Sequence, residues 1–466
     1  MRITRGTAAL LALAGSCAAV AACGGESAGA KGPQAAQAAV RLPLEVWDYT
    51  LPNGLRVILD EDKSAPVVAV HVRYKVGGKD DPPGRTGIAH LFEHLMFQGT
   101  HSITGNVIPV LQEAGASNVN ATTDSDSTDY HETVPKGAIE WALWFEAERM
   151  ATMRERLDQA TFDRERSVVK NELRQRYENR AGGFFFAIRR RALYGADHPY
   201  GHAAIGSLED LDHATLDELH AFHKLFYSPS NAVVSLVGDF DHAQAKAWVE
   251  RYFGPIPKAS AQPVRTAPAP VLDGERRILI EANVEHPSVT VTYLAPPDGA
   301  PDLPALSVML GGIAGNVDWY LAENRSVARG AFSTFDVGML GSTAEITVRL
   351  TKDGDPEEAL RVLDKEIFDA KPGHFGAVNG TINGKTLNEV LDFEPFPQRA
   401  EQYAHDDDVT RNPLFLAKRL SALQSIDRAD VFAARQRYLQ TKNRLVSIVR
   451  TSASAPLGGR LVGGAR

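Results

Sequence analysis

The chain has 466 residues, 44% of them hydrophobic, so it is long enough for two domains of about 200 residues each and has ample material for a core. Its net charge of −8 provides no basic field for a phosphate backbone, which argues against nucleic acid as the main partner. With 39 Gly and 26 Pro the composition excludes a fibrous or wholly disordered chain and indicates a soluble globular protein.

Residues 1–23 are typical of an export signal. Two arginines precede an apolar run from Ala8 to Ala22, which is too short to span a bilayer comfortably. The run ends in Val-Ala-Ala-Cys-Gly-Gly, which resembles the bacterial lipobox and predicts lipidation at Cys23. We therefore expect an exported, periplasmic protein that meets a membrane only through a lipid anchor. The alternative is a simple cleaved signal peptide in which Cys23 is incidental.

The chain has two cysteines, Cys17 and Cys23, and both lie in the leader. The folded part of the chain is therefore expected to contain no disulfide. Residues 24–42 are rich in Ala, Gly and Gln and are predicted to form a flexible tether.

The next segment, 43–256, is predicted to be an N-terminal α+β domain. Strands are expected at 55–59 and 68–74, the second with alternating residues and one buried face, and a turn at Gly77-Gly78 follows them. Later in this domain we predict helices over Ala138–Met153, Gln159–Tyr177 and Leu216–Phe226, and an apolar strand over Asn231–Gly238.

Repeated prolines predict an interdomain linker over 257–271, after which we expect a second copy of the same unit. Asn231-Ala-Val-Val-Ser-Leu-Val corresponds to Asn443-Arg-Leu-Val-Ser-Ile-Val, each after an amphipathic helix. We expect a C-terminal homologous domain over 272–454 and a tail over 455–466. Each domain should be a largely antiparallel sheet with helices packed on one face.

A possible metal site lies in His90-Leu-Phe-Glu-His94. On a helix, His90 and His94 lie one turn apart on one face, close enough to bind one metal ion. Glu93 stands beside the same face, where its carboxylate could take a proton from a metal-bound water. Neutral imidazoles suit Zn²⁺, so the pattern predicts one zinc ion per chain in the inverted zincin order.

Catalytic zinc generally has three protein ligands, so a third ligand is required. Glu172, on a second predicted helix, is the best candidate, although from spacing alone an ordinary solvated acid is an equal alternative. Glu165 lies seven residues earlier on the same helix face and is predicted to hold a ligand imidazole through a hydrogen bond.

These residues resemble the pitrilysin/insulinase family of zinc peptidases, in its processing-peptidase-like bacterial branch. The likeness rests on the His90 to His94 motif, the Glu165 to Glu172 segment and three further segments. Those segments are Asn120-Ala-Thr-Thr with Asp126-Ser-Thr-Asp-Tyr130, His198-Pro-Tyr-Gly201, and Asn231 through Asp239. Together they cover most of 43–258.

The resemblance implies that His90, His94 and Glu172 bind zinc, that Glu93 is the general base and that Glu165 supports the ligands. It also implies that the strand with Asn120 and Ala121 is a sheet edge that receives the substrate as an added β-strand. The fold it implies is two homologous domains that face each other across a chamber. A plain polar strand is the alternative for Asn120 and Ala121.

One departure concerns the second domain. Family members often carry Leu-Arg-Glu-x-x-Gly-Leu-Ala-Tyr, whose Arg and Tyr help to bind substrate near the metal. Here Ala322 replaces the Arg and Arg329 replaces the Tyr, and Gly311-Gly312 keeps only part of the preceding glycine-rich segment. We therefore expect a homologous partner subunit, in a heterodimer or a homodimer, to supply the missing pair.

The sequence thus predicts a zinc endopeptidase that cleaves peptides or unfolded segments outside the cytoplasm. The alternative is a zinc-binding but weakly active, chaperone-like subunit of a two-chain complex, against which the intact Glu93 argues. Zinc hydrolysis of non-peptide esters is a third possibility, which the strand at Asn120 disfavours.

Overall fold

The computed structural model describes residues 42, 44–259, 266–267, 270–324, 327–369 and 378–464. The predicted leader with Cys23, the tether apart from Leu42, and most of 260–269 in the predicted linker lie outside the described residues. Among the residues described, no helix is both long enough and apolar enough to cross a membrane.

The first half of the chain forms a mixed, largely antiparallel sheet of six strands. They are β1 (Val46–Thr50), β2 (Arg56–Glu61), β3 (Val67–Tyr74), β4 (Ser117–Thr123), β5 (Thr128–Pro135) and β6 (Ala232–Gly238). Their order is β1-β2-β6-β3-β5-β4, and the β2–β6 pair runs parallel. The β-branched residues of β3 and β6 suit the two central, buried positions.

The described part of this half contains eight α-helices. They are α1 (Ile88–Leu95), α2 (Ile108–Glu113), α3 (Ile139–Thr152), α4 (Gln159–Leu173), α5 (Phe185–Tyr194), α6 (Leu208–His213), α7 (Leu216–Phe226) and α8 (His242–Phe253). They lie on one face of the sheet except for α5, which packs on the sheet of the second half. The predicted bounds of α7 are confirmed at both ends, and a capping box formed by Thr215 and Glu218 fixes its start. The helix α4 is shorter than predicted and continues as a π-helical turn over Arg174–Glu178.

The second half repeats this plan. Its strands are β7 (Arg276–Ala282), β8 (Ser288–Ala295), β9 (Ala328–Asp336), β10 (Ser342–Leu350), β11 (Arg444–Thr451) and β12 (Arg460–Gly464), in the order β12-β7-β11-β8-β10-β9. Its helices are α9 (Leu303–Asp318), α10 (Pro356–Phe368), α11 (Val378–Phe393), α12 (Phe396–Thr410), α13 (Phe415–Ser425) and α14 (Arg428–Tyr438).

The predicted duplication is confirmed, since β2, β6, β3, β5 and β4 occupy the same places as β7, β11, β8, β10 and β9. The repeated asparagine has one structural role in both copies. Asn231 donates from Nδ2 to the carbonyl of Phe226 at 2.9 Å, and Asn443 donates to that of Tyr438 at 3.3 Å. Each amide therefore satisfies a carbonyl at the end of the preceding helix.

The predicted C-terminal tail, 455–466, needs correction. Residues Arg460–Gly464 form β12, which pairs antiparallel with β7 and takes the edge position that β1 holds in the first sheet. The edge strand thus comes from the start of the first copy and from the end of the second. The short strand was missed because its glycines interrupt the alternation that the sequence prediction requires.

The prediction of one buried face for β3 was wrong. Val68, Val70 and Val72 face the first core, while Ala69 lies in a separate apolar cluster with residues of α12. The helix α12 of the second half crosses the face of β3 and β6 opposite their own helices. A partner from a distant part of the chain therefore buries the face that alternation assigns to solvent.

Charged residues on that face are buried in ion pairs. Arg73 on β3 donates to Asp129 on β5 at 3.0 Å and to Asp408 on α12 at 3.2 Å. Lys75 Nζ lies 3.1 Å from the second oxygen of Asp408. These pairs satisfy the polar groups that the interface between the halves encloses.

The second sheet is covered in the same reciprocal way. Residues of α5, including Leu193 and Tyr194, pack with Ile280 and Leu445 of β7 and β11. Arg189 on α5 forms a bidentate pair with Glu345 on β10, at 3.1 and 3.0 Å. Each sheet thus has helices of its own half on one face and a helix of the other half on the opposite face, an arrangement compatible with the expected two-domain chamber.

The two homologous hairpin turns also meet. Asp126, in the turn between β4 and β5, accepts hydrogen bonds from the hydroxyl of Tyr200 at 2.6 Å and from the amide of Met339 at 3.0 Å. Met339 lies in the turn between β9 and β10, and Leu340 beside it donates to the same hydroxyl at 3.0 Å. The second half therefore anchors the turn of the β4–β5 hairpin.

Replacement of Arg73 by Met is expected to lower the free energy of unfolding by about 3 to 5 kcal/mol, because Asp129 and Asp408 would lose a buried partner. Urea denaturation measures the effect. Arg460→Met is the control, since its pair with Glu281 is exposed and contributes less than about 1 kcal/mol. Equal stability losses in the two variants would contradict the account of the interface.

Candidate metal centre and active site

The helix α1 begins at a position that only glycine fits. Gly87 has φ +95°, and a Cβ there would lie 2.6 Å from the carbonyl oxygen of Ile205. The buried carboxylate of Asp81 accepts hydrogen bonds from the amides of Gly87 at 2.7 Å and Ala89 at 2.9 Å. These bonds satisfy free amides at the start of α1 and fix the direction in which the helix leaves the turn.

The structure brings His90, His94 and Glu172 together. Glu172, near the end of α4, has Oε2 at 3.2 Å from His94 Nε2 and 3.9 Å from His90 Nε2. One donor atom from each residue lies within 4.8 Å of the other two. The side chains are 11% to 21% exposed, so the cluster is sheltered but open to a small molecule.

The geometry of the three residues fits zinc. A tetrahedral zinc ion with bonds of about 2.0 to 2.1 Å separates its donor atoms by roughly 3.3 Å. The distance from Glu172 Oε2 to His94 matches this value, and the 3.9 Å distance to His90 is longer. Two imidazole nitrogens and one carboxylate oxygen form a set found at catalytic zinc sites, and it leaves a fourth position free. No other group of three such side chains within reach of one ion is found in the described part of the chain.

The protonation states of His90 and Glu172 suit a cation. Burial and the charge of His94 lower the pKa of His90 to about 4, so this ring is neutral at pH 7. The hydrogen bond with His94 lowers the pKa of Glu172 below its usual value, which keeps the carboxylate ionised. A neutral ring and an ionised carboxylate are the forms that bind a metal ion.

Sequence reasoning missed Arg176. Its guanidinium lies 3.0 Å from Oε1 of Glu172, the oxygen that does not approach the histidines at hydrogen-bonding distance. Arg176 lies in the π-helical turn that follows α4, and it is 71% exposed. The spacing of four residues between an acid and a base on one helix was the available signal.

Glu93 lies beside the cluster and is buried. Its Oε2 accepts a hydrogen bond of 2.5 Å from the hydroxyl of Thr123, the last residue of β4. Burial raises the pKa of Glu93 above its usual value, and the bond from Thr123 opposes the rise. The carboxylate is therefore held at the metal cluster by a residue that the sequence analysis did not single out.

The predicted bond from Glu165 to a ligand imidazole is not formed. Glu165 is buried on α4, and its carboxylate accepts a hydrogen bond from Arg164 at 3.0 Å. His90 Nδ1, a buried ring nitrogen that such a bond could satisfy, has no hydrogen-bond partner among the described residues. The charge of Glu165 still contributes to raising the pKa of His94, although burial opposes that rise.

Asn120 and Ala121 lie on β4, which is the edge strand of the first sheet. They pair with His131 and Tyr130 of β5, and a bulge at Asn118 interrupts the ladder before them. The helix α1 packs against β4, so this edge runs beside the helix that carries the histidines. The structure thus places the predicted substrate strand at an edge, next to the cluster.

The region of the expected Arg and Tyr pair is only partly described. Arg329 lies on β9 and is exposed, and Ala322 falls in a π-helical turn over Trp319–Asn324. Residues 325–326 between them lie outside the description. Gly311 and Gly312 lie within the helix α9.

Two family profiles match this chain. One, described as "Insulinase (Peptidase family M16)", matches residues 56–192, and the other, "Peptidase M16 inactive domain", matches residues 213–375. The first contains the histidines, Glu93 and Glu172. The second begins in the first half and covers much of the second, which carries no counterpart of the metal cluster within the described residues.

Two curated relatives are named as zinc proteases. The zinc protease PqqE of Helicobacter pylori is 29% identical over 325 residues, which are 68% of this chain and 72% of that protein. An uncharacterized zinc protease of Mycobacterium leprae is 30% identical over 297 residues, 62% of this chain and 65% of that protein.

Solved structures share the fold. A protease from Helicobacter pylori has a TM-score of 0.79 at 22% identity, with 87% of this chain and 99% of that chain covered. The periplasmic protease PqqL from Escherichia coli has a TM-score of 0.74 at 18% identity, with 88% of this chain and 48% of that chain covered. At these identities the likeness shows the fold alone, and this chain spans about half of PqqL.

Replacement of His94 by Ala is expected to lower the affinity for zinc by more than about a hundredfold, because two ligands would remain. Zinc titration with a competing chelator measures the affinity. His101→Ala is a matched control, since His101 also pairs with a carboxylate, that of Glu155, at 2.8 Å on the surface. Unchanged affinity in His94→Ala would exclude this cluster as the metal site.

Proposed function

Since the chain belongs to the insulinase family, peptidase family M16, we propose that it is a zinc-dependent endopeptidase that hydrolyses peptides or unfolded segments. The observation that carries the proposal is the meeting of His90, His94 and Glu172 within 4.8 Å, with the buried carboxylate of Glu93 on the same helix. The names of the curated relatives support the same activity.

Zinc held at this cluster would supply a Lewis acid for the scissile carbonyl and would lower the pKa of a water ligand to about 7. His90, His94 and Glu172 would hold the ion, while Arg176 pairs with the other oxygen of Glu172. Glu93 takes the proton of the attacking water and passes it to the leaving amine. The hydrogen bond from Thr123 holds this carboxylate beside the cluster.

Replacement of Glu93 by Gln is expected to lower kcat by at least about a hundredfold, because the amide cannot accept the proton. Zinc content should stay at one ion per chain, since Glu93 is not among the three ligands. Cleavage of a fluorogenic peptide and metal analysis of both proteins measure the two quantities. Removal of zinc by a chelator should abolish cleavage by the wild type, and added zinc should restore it.

Unchanged cleavage by Glu93→Gln, or a wild type without zinc, would contradict the mechanism. Zinc binding together with negligible cleavage by both proteins would favour the weakly active, chaperone-like alternative.

The substrate is proposed to bind as an additional strand along β4. The edge at Asn120 and Ala121 offers backbone groups that no described strand pairs. N-methylation of a backbone amide near the cleaved bond of a peptide should raise KM about tenfold, the effect of one or two lost hydrogen bonds. The same methylation at the end of a long peptide is the control, and equal KM values would contradict strand addition.

A homologous partner subunit is proposed to complete the site. The support is that Ala322 and Arg329 stand where family members often carry an Arg and a Tyr, and that this chain spans about half of PqqL. Co-expression with a homologous chain should raise the cleavage rate above that of the chain alone. Full activity of a chain that sediments as a monomer would exclude both a heterodimer and a homodimer.

The protein is proposed to be exported to the periplasm and anchored by a lipid at Cys23. The support is the sequence of residues 1–23 and the name of a fold relative, a periplasmic protease. Cys23→Ser should move the protein from the membrane fraction to the soluble fraction, and an unchanged distribution would contradict the anchor.

A further inference from the structure

Thr123 joins the predicted substrate strand to the predicted base. It is the last residue of β4, the strand that carries Asn120 and Ala121. Its hydroxyl donates to Oε2 of Glu93 at 2.5 Å, across the contact between β4 and α1. This hydrogen bond connects the two elements directly at the metal cluster.

The hydroxyl of Thr123 is held in one orientation. Thr123 faces Thr128 across the β4–β5 ladder, and their hydroxyl oxygens lie 3.3 Å apart. The buried Thr128 donates its own proton to the carbonyl of Val76 at 2.9 Å. Because Thr128 uses its proton on Val76, it could only accept from Thr123. The much shorter distance to Glu93, 2.5 Å against 3.3 Å, assigns the single proton of Thr123 to the carboxylate. The β-branched side chain of Thr123 also has few rotamers.

The turn after Thr123 is itself fixed. The carboxylate of Asp124 accepts hydrogen bonds from the amides of Asp126 and Ser127 at 2.6 and 2.7 Å. Asp126 is bonded in turn to Tyr200 and to Met339 of the second half. Thr123 therefore lies next to a hairpin turn whose position is fixed by hydrogen bonds from both halves of the protein.

From this arrangement we propose that Thr123 is a positioning residue, which orients the carboxylate of Glu93 for proton transfer and sets its place relative to the substrate strand. The inference rests on the proposed function. The bond restrains Oε2 and leaves Oε1 to meet the attacking water. Because Thr123 belongs to β4, a peptide paired with this strand would be placed in register with the base.

A purely structural role for Thr123 predicts a different outcome. Loss of a hydrogen bond that only stabilises the fold would lower stability and leave kcat unchanged. A positioning role requires a lower kcat with an unchanged KM, because the peptide still pairs with the backbone of β4 while the base is displaced.

The test compares Thr123→Val and Thr123→Ser with the wild type and with Glu93→Gln under the conditions in which the wild type cleaves a fluorogenic peptide. Valine keeps the shape and removes the hydroxyl, so kcat should fall about ten- to a hundredfold, with KM within about twofold and zinc content intact. Serine keeps the hydroxyl and should recover most of the activity. Thr133→Val on β5, a threonine whose hydroxyl has no partner among the described residues, is the matched control and should behave as the wild type.

A second measurement does not depend on activity. Crystal structures of the metal-free wild type and Thr123→Val proteins should show the Glu93 carboxylate in different orientations. An identical orientation in both, loss of zinc in Thr123→Val, or equal losses of kcat in the Val and Ser variants would overturn the inference.

The two proposals fail separately. If Glu93→Gln is inactive and Thr123→Val cleaves like the wild type, the positioning role alone is wrong. If Glu93→Gln cleaves like the wild type, the proposed function is wrong and the inference falls with it.

Discussion

The exchange of helices between the two halves is the constraint on which the rest of the structure depends. The helix α12 covers one face of the first sheet, and α5 covers one face of the second. Without this exchange each sheet would expose an apolar face to solvent. The charged residues on these faces, among them Arg73 and Glu345, are buried in the folded chain. Since such groups are stable only with partners, neither half is expected to keep this structure alone.

This interlocking gives the metal cluster a rigid base. The histidines project from α1, whose start is fixed by Gly87 and Asp81, and Glu172 comes from α4. The helix α1 packs on a sheet that is buried on its two faces, and α4 packs against α1. Because the donor atoms of a metal site must be placed to within a few tenths of an ångström, a base of this kind favours a preformed site.

The second half contributes no metal ligand among the described residues. It does contact the turn of the β4–β5 hairpin, whose first strand lies beside the metal cluster. Asp126, Tyr200 and the turn at Met339 connect the two homologous hairpins. The duplicated half thus positions the edge at which we place the substrate. Through β4 and Thr123, this contact connects the second half with Glu93.

Local patterns in the sequence determined much of the molecule. Periodicity, capping and spacing act over a few residues, and they predict several features correctly. These features are the helix over Leu216–Phe226, the strand that ends at Gly238, the duplication, and the grouping of His90 and His94 on one helix. The third member of the cluster needed more than spacing, because Glu172 on a charged helix could equally have been a solvated acid. The family resemblance selected it, and the fold brought it to the histidines.

Other features were decided only by the tertiary structure. Some depend on a contact between segments far apart in the chain, as do the burial of Arg73, the bond from Thr123 to Glu93 and the edge strand β12. The bond of Glu165 to Arg164, and not to a ligand ring, depends on the direction of a side chain. Alternation and helical spacing predict which residues share a face. They do not state what covers that face, because the covering element is chosen by packing across the whole fold.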